Sequence, residues 1–144
     1  VADPYRWLED DMASDTEAWV KSQASYTETY LSKIPFREEI KNQLKEVMLM
    51  AWTFVKRNGF SMSEAMKCAW ANMKLRAAMK QRIVKFYFKK VDGSVREAYG
   101  TLKENLIPAT NGDNRKKNDT VAIYFDTEKQ SWRSFKKANL LNIA

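Results

Sequence analysis

The sequence predicts an α+β chain in which N-terminal helices precede a small, closed antiparallel barrel of about five strands. Apolar residues recur at helical spacing in the first part of the chain and then alternate strictly from Arg82 onwards. An Asp92-Gly93 pair follows the first alternating run, and this dipeptide is the strongest short signal for a β-hairpin. We expect the strands to close into a barrel because closure removes exposed strand edges.

Three helices are expected before the strands. Ser14-Asp15-Thr16-Glu17 has the form of a capping box and predicts a first helix over residues 15–32. Pro35 suits the first turn of a second helix, which Asn58-Gly59 ends. A second capping box, Ser61-Met62-Ser63-Glu64, opens the third helix. The apolar residues that share one face of this helix, and are expected in the core, are Met66, Trp70, Met73 and Ala77.

The strands are predicted from period-two alternation and turn residues. Val84, Phe86 and Phe88 alternate with Lys85, Tyr87 and Lys89, and the return strand covers residues 95–102. A second hairpin is expected over residues 120–126 and 132–136, with a short last strand near residues 141–143. Between the hairpins, the polar residues 109–119 predict a mobile loop.

The charge of the chain changes sign near Met48. Residues 1–47 hold 6 basic and 10 acidic residues, a net charge of −4, whereas residues 48–144 hold 19 and 8, a net charge of +11. Such asymmetry is typical of two segments with different roles, and the basic one is the candidate for a polyanionic partner. We therefore predict two domains, an acidic helical segment of residues 1–47 and a basic domain of residues 48–144.

The residue counts argue against an enzyme. The chain contains no histidine and a single cysteine, Cys68. An internal disulfide, a zinc site and Ser/His/Asp or Cys/His catalysis therefore lack the residues that they require. We predict no catalytic residue, no metal and no cofactor. No run of about 18 apolar residues occurs, so we expect no membrane partner and a cytoplasmic location.

Three short motifs near the N-terminus are specific. They are VADPYRWLED at residues 1–10, EAWV at residues 17–20 and IPFR at residues 34–37. Together they closely resemble the N-terminal segment of prolyl oligopeptidases, over about the first third of the chain. The resemblance implies helices that pack on a hydrolase domain whose catalytic residues lie far downstream. Because the chain has no histidine and no Gly-x-Ser-x-Gly-type elbow, no peptidase role carries over to any of its residues.

A second set of motifs runs through the remaining two thirds. The set comprises Ala51-Trp52, Ser63-Glu64-Ala65, Ala69-Trp70-Ala71, residues 90–96 (KVDGSVR), Gly100-Thr101-Leu102, Ile107-Pro108-Ala109, Tyr124-Phe125-Asp126, Trp132-Arg133 and residues 135–140 (FKKANL). It resembles a family of small basic proteins of unknown function, common in Bacteroides-type genomes, with an SH3-like or Sm-like barrel related to WYL domains. The resemblance implies a helical part and a five-stranded barrel, and by analogy with such barrels it favours binding of nucleic acid or a small ligand.

The two resemblances are unrelated and meet near Met48. The first residue, Val1, is not methionine. Together these observations favour a chimera, a fusion or a designed sequence over a natural protein with a peptidase-like leader. In that case the chain as a whole has no evolved function.

The basic and aromatic pattern of the second part predicts a nucleic-acid-binding surface. Lys85, Tyr87 and Lys89 should share one strand face, so that a base stacks on the ring while the amines hold phosphates. A two-residue turn at Asp92-Gly93 would place Arg96 opposite Lys89, a repulsive pair that a polyanion would relieve, although a bulge would shift this register. The basic residues expected to extend the positive field are Arg115, Lys116, Lys117, Arg133, Lys136 and Lys137.

Other interpretations remain open at this point. Tyr87 could instead pack under the third helix, and the lysines could form a solvated face. The partner could be DNA, RNA, a small anion or a protein, and self-association is a further alternative. A protein-interaction or scaffold module, in which the acidic helices bind a basic partner, is the second hypothesis. A non-catalytic fragment related to prolyl oligopeptidase ranks last.

Overall fold

The structure is a computed structural model that describes residues 3–109 and 118–144. The chain divides into two units, Val1–Gln43 and Leu44–Ala144. The helix Arg37–Asn58 contributes to both units and runs without interruption across Met48. No helix in the described part of the chain is long and apolar enough to cross a membrane.

The first unit contains a short 3₁₀ turn, Arg6–Glu9, then α1, Ser14–Leu31, and the start of α2, Arg37–Asn58. The predicted first helix is present, but the prediction of a capping box at its N-terminus is wrong. Ser14 already lies inside α1, the cap position is Ala13, and no side chain caps the helix. Pro35 likewise precedes the first turn of α2 rather than lying within it.

Two helices build the helical part of the second unit. Gly59, at φ +69°, follows the C-terminus of α2, and α3, Met62–Gln81, begins after Ser61. Here the predicted capping box is confirmed. The Glu64 backbone N–H donates to Ser61 Oγ, and the Ser61 backbone N–H donates to the Glu64 carboxylate. Each side chain thereby accepts a hydrogen bond from a backbone N–H that would otherwise lack a partner at the helix start.

The buried face of α3 differs from the predicted stripe. Ala65 and Ala69 are fully buried against α2, and Leu75 and Met79 continue this face towards the strands. Trp70 is instead 37% exposed and Ala77 is exposed, so this part of the prediction was wrong. The small alanine side chains allow close approach to α2, and this packing determines which face is buried.

Five antiparallel strands complete the second unit. They are β1, Val84–Lys89, β2, Val95–Thr101, β3, Val121–Asp126, β4, Ser131–Lys136, and β5, Leu140–Ile143. Their order in the sheet is β4-β3-β2-β1-β5, and the described residues of β4 and β5 do not pair with each other. A 3₁₀ turn, Lys137–Asn139, connects β4 to β5 and packs on α3. The predicted fold class, helices followed by a small five-stranded antiparallel sheet, is confirmed.

Aromatic rings form the core of this sheet. Phe86, Phe88, Tyr124 and Phe135 are all at most 4% exposed, and their ring centroids lie 5.0–6.5 Å apart. Gly100 is required beside them because a Cβ atom there would lie 2.6 Å from the Tyr124 ring. The core therefore lies on the face of β1 that carries the phenylalanines, as the alternation predicts.

The first hairpin turns through three residues rather than two. The Lys90 backbone N–H donates to the Ser94 carbonyl, the Gly93 N–H donates to the Lys90 carbonyl, and Gly93 has φ +88°. This is the arrangement of a type I turn followed by a left-handed glycine. The extra residue shifts the pairing by one position relative to the prediction, and a shift of one residue exchanges the two faces of a strand.

Candidate functional site

The outer face of the β1–β2 hairpin carries a cluster that we call the tyrosine face, which comprises Lys85, Tyr87, Glu97 and Tyr99. The pairing of the strands places Lys85 opposite Tyr99 and Tyr87 opposite Glu97. The residues that alternate with them, such as Phe86, are buried in the core, so the four side chains project outwards.

The Lys85 ammonium is the centre of this face. Its Nζ lies 3.1 Å from Glu97 Oε2 and 5.5 Å from the ring centroids of both Tyr87 and Tyr99. The Tyr99 hydroxyl donates to the other carboxylate oxygen, Glu97 Oε1, at 3.1 Å. The cation is therefore held by two aromatic rings and one carboxylate, in a combination of cation–π and ion-pair contacts.

These contacts stabilise the charged forms of Lys85 and Glu97. Hydrogen bonding to the Tyr87 side chain, and then to Glu97 and Tyr99, raises the pKa of Lys85. Hydrogen bonding to Lys85, and then to Tyr87, lowers the pKa of Glu97. At neutral pH the tyrosine face thus holds one cation and one anion, and its own net charge is zero.

The rings on this face remain reachable from solvent. Tyr87 and Tyr99 are half-buried, and the side chains of Lys85 and Glu97 are 34% and 45% exposed. Lys89 continues the same side of β1, where it is exposed and lies opposite Val95. The arrangement can stack a planar group on a ring while an amine contacts an anion beside it.

Arg96 does not join Lys85, Tyr87 and Lys89, and the predicted Lys89–Arg96 pair is wrong. The three-residue turn places Arg96 opposite Phe88, on the core side of β2. There its Nη2 donates to Asp126 Oδ2 at 2.7 Å, with the Asp126 side chain 1% exposed. Arg96 is therefore engaged in an ion pair with a buried carboxylate, which is a structural role.

The remaining predicted cations are distributed over other parts of the second unit. Arg133 pairs with Tyr124, on the side of β4 that carries Phe135. Lys136 pairs with Val121, at the start of β3. Strand β2, which carries part of the tyrosine face, pairs with the other end of β3, at Phe125 and Asp126. The structure therefore does not add these side chains to the tyrosine face. Lys137 begins the 3₁₀ turn after β4, whereas Arg115, Lys116 and Lys117 lie outside the described residues.

Sequence reasoning missed Glu97 and Tyr99. Both lie on β2, and a register that assumes a two-residue turn assigns them to the opposite face. The signal that could have found them is the alternation of the large polar Glu97 and Tyr99 with the small Ala98 and Gly100, which are the residues that the aromatic core accommodates. Missing the Glu97 carboxylate matters most, because it pairs with Lys85, the cation on which the binding prediction depends.

Comparison with known families supports this description of the second unit. Residues 72–141 match the family model WYL_2, described as an Sm-like SH3 β-barrel fold. The second unit carries an Sm-like, SH3-type barrel domain. The tyrosine face lies entirely within the matched residues, on the first two strands of this barrel.

The N-terminal part of the chain matches a different family. Residues 1–51 match Peptidase_S9_N, described as the prolyl oligopeptidase N-terminal β-propeller domain. Prolyl endopeptidases of Elizabethkingia meningoseptica and Elizabethkingia miricola are 50% and 52% identical over 56 residues, which is 39% of this chain. The aligned segment is only 7% of the length of either curated relative. No solved structure matches the chain. Both resemblances predicted from the sequence are confirmed.

Proposed function

We propose that the second unit is a non-enzymatic binding module whose tyrosine face binds nucleic acid. The observation that carries this proposal is the pair of solvent-accessible tyrosine rings beside Lys85, on the outer face of strands β1 and β2, in a segment of net charge +11. Nucleic acid combines the two features that such a face complements, because its bases stack on aromatic rings and its phosphates attract amines.

The strength of binding follows from these two contributions. Stacking on an aromatic ring contributes about 1–3 kcal/mol per base and is tolerant of sequence. Each phosphate that a lysine neutralises releases counterions, so affinity falls as salt rises. Lys85 and Lys89 contact phosphates without reading bases. We therefore expect a strongly salt-dependent interaction with single strands, and little sequence preference.

Glu97 sets a limit on this interaction. Its carboxylate holds Lys85 and lies directly opposite Tyr87, so an approaching phosphate must replace it at the ammonium. The carboxylate also repels the phosphate electrostatically. The face is therefore expected to bind single strands more weakly than its lysines alone would allow, and Glu97 becomes the residue that tunes affinity.

The experiment is fluorescence anisotropy with labelled single-stranded and duplex DNA and RNA, titrated from low to physiological salt. Tyr87→Ala should weaken single-strand binding by about tenfold or more, as loss of one stacked base requires. Lys89→Gln should flatten the salt dependence by about one phosphate contact. Tyr26→Ala is the matched control, since Tyr26 is 74% exposed on α1, which belongs to the first unit.

The outcome that would contradict the proposal is equally direct. If no oligonucleotide binds even at low salt, the tyrosine face is a solvated ion-pair network. If Tyr26→Ala weakens binding as much as Tyr87→Ala, binding is a general property of the basic chain. In both cases nucleic acid is not the partner of this face.

A second candidate function, a protein-interaction module, is favoured by the first unit. Thr16 is the one buried residue in its described part, although the unit carries many large apolar and aromatic side chains. Exposed groups of this kind mark protein contact surfaces. The exposed residues are Tyr5, Trp7, Met12, Trp19, Val20, Tyr26, Tyr30, Phe36 and Ile40.

The simplest partner for this acidic unit is the basic unit of a second copy. Sedimentation velocity over a range of protein concentrations tests this alternative. Self-association that salt weakens, and that Trp19→Ser abolishes, would support it. A sedimentation coefficient that does not change with concentration would exclude it. No peptidase activity is proposed, because the matched segment belongs to the N-terminal part of that family and the chain has no histidine.

A further inference from the structure

A cavity of about 590 Å³ lies between the helices of the second unit and the first half of β3. Its volume falls within the range of about 300–1,000 Å³ that is typical of small-molecule sites. The walls are largely apolar and include three methionines, Met50 from α2 and Met73 and Met79 from α3. The cavity is distinct from the tyrosine face, since none of that face's residues lines it.

The methionines favour a particular class of occupant. Their side chains are unbranched and polarisable, and a thioether contacts the edge of an aromatic ring favourably. Phe135 adds an aromatic wall. Methionine-rich walls also adapt to different shapes. A flat, ring-containing molecule is therefore better accommodated than an extended charged one.

Asn72 provides one fixed polar group in this apolar setting. It lines the cavity and is 7% exposed. Its Nδ2 donates to the backbone carbonyls of Cys68 and Lys137, both at 2.9 Å. Because both partners are acceptors, the orientation of the amide is determined and Oδ1 must point the other way. In the described part of the chain, no hydrogen bond to Oδ1 is present.

Oδ1 is not sealed from water, so a ligand N–H or O–H that reaches it would replace a water molecule as its hydrogen-bond donor. Most of the polar lining residues lie on the solvent side. Glu46 and Arg76 pair with each other at 3.5 Å and are about half exposed, and Asn118 and Asp119 are exposed, whereas Lys137 is half-buried. The inner wall is mainly apolar, and Asn72 Oδ1 is an available acceptor on it.

From these observations we propose that the cavity is a binding site for an uncharged, ring-containing small molecule with one hydrogen-bond donor. The ring packs against Met50, Met73 and Met79, and its N–H or O–H donates to Asn72 Oδ1. This site is independent of the nucleic-acid proposal, and either can fail without the other.

Indole and benzofuran are suitable probes because they share shape and size, and only indole carries an N–H donor. Binding is followed by NMR of the protein labelled with ¹³C at its methionine methyl groups. The chain has seven methionines, of which Met50, Met73 and Met79 line the cavity. Met12, Met48 and Met62 do not line it and provide internal controls.

We expect indole to shift the signals of the three lining methionines and to leave the control signals unchanged. Indole should bind about tenfold more tightly than benzofuran, as one additional hydrogen bond in an apolar site allows. Asn72→Ala should remove this preference for indole. Because Asn72 also supports two backbone carbonyls, circular dichroism of that variant must show that it is folded.

A second variant tests the site without changing Asn72. Val121→Phe places a larger side chain at the β3 wall and should weaken indole binding by about tenfold or more. Val95→Phe makes the same change on β2, away from the cavity, and should leave binding unchanged. The proposal is overturned if indole shifts no lining methionine at millimolar concentration, if the two probes bind equally, or if the two valine variants behave alike.

Discussion

Replacing Asp126 with alanine should destabilise the second unit by about 3–4 kcal/mol. The Asp126 carboxylate is fully buried and accepts three hydrogen bonds, one from Arg96 and one each from the backbone N–H groups of Glu128 and Lys129. All three bonds have the same charged carboxylate as acceptor, and a hydrogen bond to a charged group contributes about 1.5–3 kcal/mol. The backbone donors lie near solvent, and water will partly replace the lost carboxylate.

The same change also leaves the Arg96 guanidinium without its partner. Its side chain is 24% exposed, so hydration recovers only part of the loss. Breaking a buried ion pair costs about 3–5 kcal/mol, and partial hydration of the groups left behind places the expected loss in the lower part of that range. For a unit of this size, a loss of 3–4 kcal/mol lowers Tm by roughly 10–20 °C.

Urea unfolding of the wild type, Asp126→Ala, Arg96→Met and the double variant measures these quantities as a double-mutant cycle. Methionine keeps the apolar stem of Arg96 and removes its charge. The coupling between the two side chains should be about 1.5–3 kcal/mol. An Asp126→Ala variant whose free energy of unfolding is within about 1 kcal/mol of the wild-type value would refute the assigned role of this pair.

Arg96→Met should also leave nucleic-acid affinity nearly unchanged, because Arg96 lies on the core side of β2.

Three further predictions concern local structure. Gly100→Ala places a Cβ atom 2.6 Å from the Tyr124 ring, and urea unfolding should show a loss of about 1–3 kcal/mol; a neutral effect would mean that the ring moves easily. Ser61→Ala removes the confirmed cap of α3 and should cost about 1 kcal/mol by the same assay; a variant as stable as the wild type would contradict the capping role. Hydrogen bonds from Ser94 lower the pKa of Asp92 to about 2, so the stabilisation of the hairpin turn by this carboxylate should be fully present above pH 3.8 and lost as the pH falls through 2. A carboxyl titration by NMR with a midpoint near 3.8 would contradict this assignment.

Sequence reasoning succeeded where one local rule decided the outcome. The α3 capping box and the alternation along β1 depend on residues within a few positions of each other, and both were confirmed. The α1 capping box failed because its Ser14 lies one position inside the helix. The buried stripe of α3 was only partly right: Met66 and Met73 pack against the core shared with α2, but contact with α2 buries Ala65 and Ala69 and leaves Trp70 and Ala77 exposed.

The sequence predicted only part of the tyrosine face, because the turn between β1 and β2 is one residue longer than predicted. Lys85 and Tyr87 share a face because successive strand residues alternate. Which β2 residues join them depends on the length of the turn, and Asp92-Gly93 fits both a two-residue and a three-residue turn. The positive φ of Gly93 corresponds to the longer turn, which brings Glu97 and Tyr99 to the site and removes Arg96.

If the tyrosine face binds nucleic acid, the phosphate competes with Glu97 for Lys85. An anisotropy titration of a labelled single-stranded oligonucleotide with the wild type and with Glu97→Gln, from low to physiological salt, measures this competition. Glutamine has nearly the same shape but does not hold Lys85 by charge, so we expect tighter binding and a steeper salt dependence for the variant. Equal affinity and equal salt dependence for the two proteins would show that nucleic acid does not bind at Lys85.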